Sequence, residues 1–178
     1  DFFQILKATF ILLLPSAHLY GYCKLIIMAT TSEISEICEQ MLGFKPHRVQ
    51  LNTIISYLYG NDTIMCAPTG FGKSLVFQVA HRMLRELKPD TPNKVMVITP
   101  LLSLIDDCMN KINSIDGCLS VSLSSQDTSK EDISTATHIL TTPESLLEGR
   151  WRKDLLADDD AISSFGLVVV DECHVISA

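Results

Sequence analysis

Short apolar strings alternate with segments of helical period along most of the chain. The strings have the length and composition of buried strands, and they cover residues 63–67, 94–99, 119–123, 138–141 and 167–170. Between them, apolar residues recur at helical spacing over residues 72–88 and 101–115. Because strands that alternate with helices form parallel sheets covered on both faces, the pattern predicts a three-layer α/β fold.

Two more helices are expected ahead of the first strand. Ser32 is the predicted cap of a helix that ends at Gly43, and a second helix follows Pro46. The spacing also predicts the inward residues of all four helices: Ile34, Ile37, Cys38, Met41 and Leu42; Val49, Ile54, Ile55 and Leu58; Val76, Val79, Ala80, Met83, Leu84 and Leu87; and Leu101, Leu104, Ile105, Cys108, Ile112 and Ile115.

Residues 1–27 form an apolar N-terminal extension outside this pattern. No Asp, Glu, Lys or Arg occurs in residues 8–23, but Pro15 interrupts the stretch, which is shorter than the ~20 residues of a membrane-spanning helix. A secretory signal, a membrane anchor, sequence upstream of a start at Met28 and a stray extension are the alternatives. The interpretation favours the last two, and no membrane association is expected.

Composition indicates one globular domain of acidic charge. Apolar residues make up 47% of the chain, and 14 Lys and Arg stand against 21 Asp and Glu for a net charge of −7. Such a chain has no broad basic surface, so any contact with nucleic acid must be local. The six cysteines show no metal-ligand spacing and are interpreted as reduced thiols.

The first chemical motif is APTGFGKS, which begins at Ala67 between a predicted strand and a predicted helix. Its glycines allow backbone amides to approach a phosphate chain closely. Lys73 supplies a charge for the β- and γ-phosphates, and the Ser74 hydroxyl suits one Mg²⁺ position. Although Ala67 stands where the general pattern has Gly, the motif predicts a nucleotide-binding loop. Its binding residues are Thr69, Gly70, Phe71, Gly72, Lys73 and Ser74.

The second motif is an apolar strand that ends in two carboxylates, Asp171 and Glu172. Ligands collect at the carboxyl ends of parallel strands, so Asp171 is expected beside the phosphate loop. One acid would hold Mg²⁺ and the next would orient or deprotonate the attacking water in phosphoryl transfer. Lys73, Asp171 and Glu172 are therefore predicted catalytic residues, with Ser74 and Asp171 as Mg²⁺ ligands.

Four strings in one order resemble the RecQ group of superfamily 2 DNA helicases: APTGFGKSLVFQ, ITPLLSLIDD, TTPESLL and DECHVIS. The resemblance runs from about Leu42 to Ala178. It implies a RecA-like P-loop NTPase lobe at residues 61–178, preceded by a helical, Q-motif-like region at residues 28–60. The implied function is that of the ATP-binding motor lobe of a 3′→5′ DNA helicase, with ATP and Mg²⁺ as cofactors.

The resemblance also implies roles for single residues near the nucleotide. Gln50 matches, by its distance from Lys73, the glutamine that recognises the adenine edge, and its amide can both donate and accept as that edge requires. Phe44 or Arg48 is a candidate to pack on the base. His174 in DECH matches a histidine that couples the nucleotide site to the second lobe, and it joins the predicted catalytic residues.

Thr99, Ser103 and Thr142 correspond to the strand-binding motifs of the family. Each lies where a strand gives way to a helix, so hydroxyls and free amides can hold phosphate oxygens of single-stranded or duplex DNA. Helix capping is the competing role for Thr99 and Ser103, and Thr142 is expected to cap a helix in either case.

The resemblance further implies that the lobe is incomplete at residue 178 and that a second RecA-like lobe follows. Because arginines of that lobe complete the ATP site, the chain alone is expected to bind Mg·ATP weakly and to hydrolyse it negligibly. The whole protein is expected to act in the nucleus, and also in the cytoplasm as an alternative, in DNA repair or recombination.

Other interpretations stay open. The stretch LGFKPHRVQ favours an RNA helicase lobe of the same superfamily, and a truncated nucleotide-dependent interaction module is a second alternative. A GTPase is disfavoured because no Asn-Lys-x-Asp motif occurs. Trp151 is expected as a partly buried anchor rather than a base-stacking residue, and residues 158–160 as a solvated turn rather than a metal site.

Overall fold

The computed structural model describes residues 8–15, 29–147, 150–155 and 158–172, with the backbone alone for residues 8–15. One sheet contains the strands β1 (Ala8–Pro15), β2 (Thr63–Pro68), β3 (Lys94–Ile98), β4 (Ser120–Ser122), β5 (His138–Thr141) and β6 (Phe165–Asp171). The strand order is β2-β1-β6-β3-β5-β4. Strands β6, β3, β5 and β4 form parallel ladders, which confirms the predicted parallel sheet for this part of it.

Among the described strands, β1 is the one that the sequence pattern did not predict. It runs antiparallel between β2 and β6 and pairs with both. Antiparallel pairing needs only an extended backbone beside free edges, so it does not depend on the alternation of strands and helices. The strand before the phosphate loop and the strand that ends in the acid pair are thus neighbours of one shared strand, ~10 Å apart by ordinary strand spacing.

The described ranges contain the predicted helices together with three short helices that the sequence pattern did not predict, over residues 130–135, 150–154 and 159–163. They are α1 (Thr31–Leu42), α2 (Arg48–Leu58), α3 (Leu75–Gln78), α4 (Ala80–Leu87), α5 (Leu102–Asn113), α6 (Lys130–Thr135), α7 (Pro143–Leu147), α8 (Arg150–Asp154) and α9 (Asp159–Ser163).

Apolar side chains cover both faces of the sheet, as a three-layer fold requires. On one face, Val95 and Val97 of β3 belong to a buried cluster that includes Ile34 and Ile54 from α1 and α2. On the other face, Met96 packs in a second cluster with residues of β5, α6 and α8. The alternation along β3 follows from the two-residue period of a strand.

The start of α1 differs from the prediction. The cap is Thr30 and not Ser32: the Thr30 hydroxyl accepts the Glu33 amide, and the Glu33 carboxylate accepts the Thr30 amide. The spacing T-x-x-E permits this reciprocal capping, whereas Ser32 has no acid three residues later. The predicted end is confirmed, since Gly43 adopts a left-handed φ of 72°.

The helix predicted over residues 72–88 is not continuous. It is interrupted at Val79, which separates α3 from α4. Next to this interruption, the carbonyl oxygen of Phe77 lies 3.0 Å from Nε2 of His138. An imidazole from β5 thus satisfies the carbonyl at the break, a contact that local spacing could not reveal.

Several residues predicted to face inward are exposed. Val49 is 46% exposed, Leu101 48% and Leu104 38%. All three lie at or near the first turn of their helices, before the segment that packs on the sheet. Cys66 is also exposed, because it belongs to the outer face of β2, which ends the sheet.

Trp151 is buried, and its Nε1 donates to the Leu123 carbonyl at 3.0 Å, so the anchoring role is confirmed. Residues 158–160 are exposed, as predicted, but they begin a helix instead of a turn: Asp158 caps α9 by accepting the amides of Asp160 and Ala161. Within the described residues, no group of three or more His, Cys, Asp or Glu side chains could hold a metal ion.

The described cysteines Cys38, Cys66, Cys108 and Cys118 are free thiols, in agreement with the prediction. Cys23 and Cys173 lie outside the described residues. Among the helices that the structure describes, none has the length and hydrophobicity to cross a bilayer.

Candidate functional site

The phosphate loop connects β2 to α3 and is shaped by two glycines. Gly70 and Gly72 each have a φ of 81°, a left-handed conformation that L side chains rarely adopt. Lys73 is 8% exposed, and its Nζ donates to the carbonyl oxygens of Ala67 at 3.0 Å and Pro68 at 2.9 Å. These bonds hold the ammonium inside the loop, where an arriving phosphate chain would compete with the two carbonyls.

Gln50 fastens α2 to this loop. Its Nε2 donates to the carbonyl oxygens of Phe71 at 3.3 Å and Gly72 at 2.9 Å, and its Oε1 accepts the His47 amide at 2.7 Å. The side chain is buried. The structure thus shows Gln50 as an anchor of the loop, and recognition of adenine stays a prediction that would need this amide to exchange partners.

One cavity unites the two predicted chemical motifs. It has a volume of about 320 Å³, and its lining includes Lys73 and Ser74 on one side and Asp171 and Glu172 on the other. Thr69, Gly70 and Gly72 line the same cavity. The predicted proximity of the loop and the acid pair is therefore observed. Phe71 is outside the lining and lies with its ring 5.4 Å from that of His47.

The acid pair sits on strained backbone. Glu172 has a φ of 53°, the one positive φ of a residue other than glycine in the described part of the chain. Its amide donates to the Asp171 carboxylate at 2.9 Å. Such strain persists where the surrounding structure fixes it, and it is concentrated at functional sites. Here it turns the chain directly after β6.

The residues predicted to bind a DNA strand differ in their exposure and in their capping roles. Ser103 is exposed on the first turn of α5, whereas Thr99 is 3% exposed and its hydroxyl has no partner. Neither one caps α5, because its N-cap is Leu101. Thr142 caps α7 through a bond from the Ser145 amide, as predicted. Of the base-packing candidates, Phe44 is 52% exposed.

Other residues of the cavity were not predicted: Phe77, Gln78, Leu104, Asp107, Cys108 and Lys111. For Gln78 the signal was available, since it follows Ser74 by four residues and thus shares its helical face. No comparable indication was present in the sequence for the cavity residues of α5, because only the fold brings α5 close to the phosphate loop. These residues are Leu104, Asp107, Cys108 and Lys111. His174 lies outside the described residues.

A strand, a glycine-shaped loop with a buried lysine, a helix and an acid pair across one cavity define a P-loop nucleotide-binding lobe. The family model described as DEAD/DEAH box helicase matches residues 47–178 of the chain. The chain belongs to the DEAD/DEAH box helicase family, and its fold is that of a RecA-like helicase lobe.

The curated relatives include several helicases of the RecQ group. The chain is 30% identical over 158 residues to "ATP-dependent DNA helicase Q-like 5" of Arabidopsis thaliana, covering 84% of this chain and 16% of the relative. It is 29% identical over 153 residues to "Probable ATP-dependent DNA helicase RecS" of Bacillus subtilis, covering 82% and 28%. The RecQ resemblance is thereby confirmed. The chain spans less than a third of either relative's length.

A viral relative has a different name. The chain is 28% identical over 142 residues to "Putative ATP-dependent RNA helicase R290" of Acanthamoeba polyphaga mimivirus, covering 76% of this chain and 24% of the relative.

Proposed function

We propose that the chain is the ATP-binding motor lobe of a RecQ-like DNA helicase that couples ATP hydrolysis to 3′→5′ unwinding. One observation carries the proposal: the phosphate loop and the acid pair line the same cavity. The names of the relatives support DNA as the nucleic acid, because the two RecQ-group relatives above are described as DNA helicases.

The residues of the cavity fit a magnesium nucleotide. The left-handed glycines expose backbone amides to the phosphate chain, and Lys73 adds a positive charge. Ser74 and Asp171 offer the oxygen ligands that Mg²⁺ prefers, and the metal when bound would stabilise charge that develops on the phosphates. Glu172 is the candidate to orient or deprotonate the attacking water, and His174 to transmit the state of the site.

The DNA would run along the edge where Ser103 and Thr142 start their helices. Ser103 is exposed, so its hydroxyl is accessible to a phosphate oxygen. Thr142 and Thr99 are buried and would act through backbone amides or by shaping the helix starts. Such contacts are few and local, in keeping with the net charge of −7.

A second RecA-like lobe would complete the site. The chain spans only 16% and 28% of the two RecQ-group relatives, which leaves room for such a lobe in each. ATP would then close the lobes on DNA and hydrolysis would reopen them. A nuclear role in DNA repair or recombination, with the cytoplasm as the alternative location, follows from the RecQ resemblance alone.

Titration calorimetry with Mg·ATP tests the proposal on the chain itself. We expect weak binding that disappears in EDTA, together with hydrolysis slower by ~10³–10⁵-fold than in a two-lobe enzyme, as when an arginine finger is absent. Absence of binding heat, or rapid DNA-stimulated turnover by this chain alone, would contradict the proposal.

The viral relative named as an RNA helicase supports one second candidate, an RNA helicase lobe. Equilibrium binding to matched single-stranded DNA and RNA of one sequence, each with Mg·ATP present, separates the two. Preference for DNA supports the proposal, whereas preference for RNA would favour the second candidate.

A further inference from the structure

Gln78 has an unused hydrogen-bond donor at the nucleotide cavity. The residue ends α3, one helical turn after Ser74, so both side chains project from the same face of the chain. Gln78 is 7% exposed and lines the cavity, and its Nε2 has no hydrogen-bond partner in the structure. A buried amide donor thus adjoins the space between the phosphate loop and the acid pair.

The protein groups beside Gln78 do not satisfy this hydrogen-bond donor. Cys108 of α5 also lines the cavity, where burial raises the pKa of its thiol to about 12 and the Gln78 amide acts in the opposite direction. The thiol is therefore protonated at neutral pH, and a neutral sulfur is a weak acceptor. It cannot replace the water that the amide loses on burial.

The position of this unpaired group distinguishes it from the others. An unpaired buried amide costs stability, so it persists where another requirement holds it. In the described ranges, the other buried side-chain atoms without a partner belong to Ser35, Tyr57, Arg82 and Thr99. None of those four residues lines the nucleotide cavity.

We propose that the Nε2 of Gln78 donates a hydrogen bond to an oxygen that a magnesium nucleotide brings into the cavity. This inference rests on the proposed function of the cavity. The oxygen belongs either to the phosphate chain or to a water bound to the metal. Gln78 would thus be one of the residues that bind the nucleotide at its phosphate chain.

Substitution by an apolar residue of similar shape tests the proposal. In Gln78→Met the amide is lost and the volume is nearly kept. We expect the affinity for Mg²⁺ with β,γ-imido-ATP to fall about five- to tenfold, the ratio for one hydrogen bond. The nucleotide-free thermal midpoint should stay equal or rise, because a desolvated and unpaired group has been removed.

Two further variants test whether a change in side-chain shape, or the removal of any unpaired buried group, would alone change the affinity. Gln78→Leu repeats the test with a different shape. Ser35→Ala removes an equally unpaired buried atom on α1, away from the cavity, and should leave nucleotide affinity unchanged. Affinity is measured by calorimetry and the midpoint by circular dichroism on the complete chain.

Comparing ligands identifies the oxygen. A loss confined to the triphosphate analogue and absent for ADP assigns the γ-phosphate. An equal loss for both nucleotides assigns an oxygen that the two complexes share, either on the α- or β-phosphate or on a water bound to the metal.

Three results would overturn the inference. Unchanged affinity in both Gln78 variants would show that the amide meets no ligand. A lowered midpoint in both would show that the amide serves the fold instead. If the wild-type chain bound no magnesium nucleotide, this inference and the proposed function would both be wrong, whereas unchanged binding by the variants contradicts only the former.

Discussion

Nε2 of Gln50 lies 2.9 Å from the carbonyl oxygen of Gly72, so a glutamine from α2 holds the phosphate loop in shape before any nucleotide arrives. The two residues lie far apart in the sequence, and their contact connects α2 to the phosphate loop. The bond makes loop geometry dependent on α2.

Gln50→Ala is expected to lower the stability of the nucleotide-free chain. The change leaves the partly buried carbonyls of Phe71 and Gly72 and the His47 amide without this partner, at a cost of about 1–3 kcal/mol. Urea denaturation measures it, with Gln40→Ala on the exposed face of α1 as control. If stability were unchanged while the preference for ATP over GTP disappeared, Gln50 would act only on the base.

The two loop glycines form a matched pair. An added Cβ at Gly72 would lie 2.8 Å from Nε2 of Gln50, whereas at Gly70 nothing lies within 4 Å, and both have a φ of 81°. Gly70→Ala should cost about 1–2 kcal/mol from backbone strain alone. Gly72→Ala should cost more and weaken nucleotide binding further, as measured by urea denaturation and calorimetry. Equal effects in the two variants would show that the Gln50 side chain moves away from the added Cβ at residue 72 without a loss of stability or affinity.

Local chemistry explains what the sequence could predict. Gly70, Gly72 and Lys73 act through neighbours in the chain, and Asp171 follows an apolar strand whose end is fixed by the parallel sheet. Strand β1 and the helix break at Val79 were missed, since each depends on partners distant in sequence. The same holds for Gln50, whose type was noted but whose bonds to the loop appear only in the fold.

Lys73→Ala should weaken nucleotide binding strongly. A hydrogen bond to a charged group contributes about 1.5–3 kcal/mol, which corresponds to about a ten- to hundredfold loss of affinity for Mg·ATP. Lys45→Ala makes the same change in charge at an exposed position and should have little effect. Comparable losses in calorimetry for the two variants would mean that net charge matters and the position of Lys73 does not.

His138 is expected to make the fold sensitive to acid. Burial lowers the pKa of this imidazole to about 4, partly offset by its bond to the Phe77 carbonyl, and the neighbouring His81 lowers it further. Between pH 6.5 and 4, the His138 imidazole is therefore protonated in the unfolded chain and neutral in the folded chain. The free energy of unfolding falls as the pH falls through that window. The contribution between pH 7 and 5 is about 2 kcal/mol.

The bonding pattern supplies a test of that acid sensitivity. A carbonyl can only accept, so Nε2 of His138 carries the proton and Nδ1 faces the Thr137 hydroxyl. His138→Gln can still donate to the Phe77 carbonyl but does not titrate, so urea denaturation at pH 7 and pH 5 should show a smaller loss than in the wild type. His47→Gln, at an exposed position, should keep the wild-type loss.

His81 also has a pKa lowered by burial, with Arg85, Arg82 and Lys94 adding to the effect, so some acid sensitivity should survive in His138→Gln. If that variant lost as much stability as the wild type, His138 would not be the group that titrates.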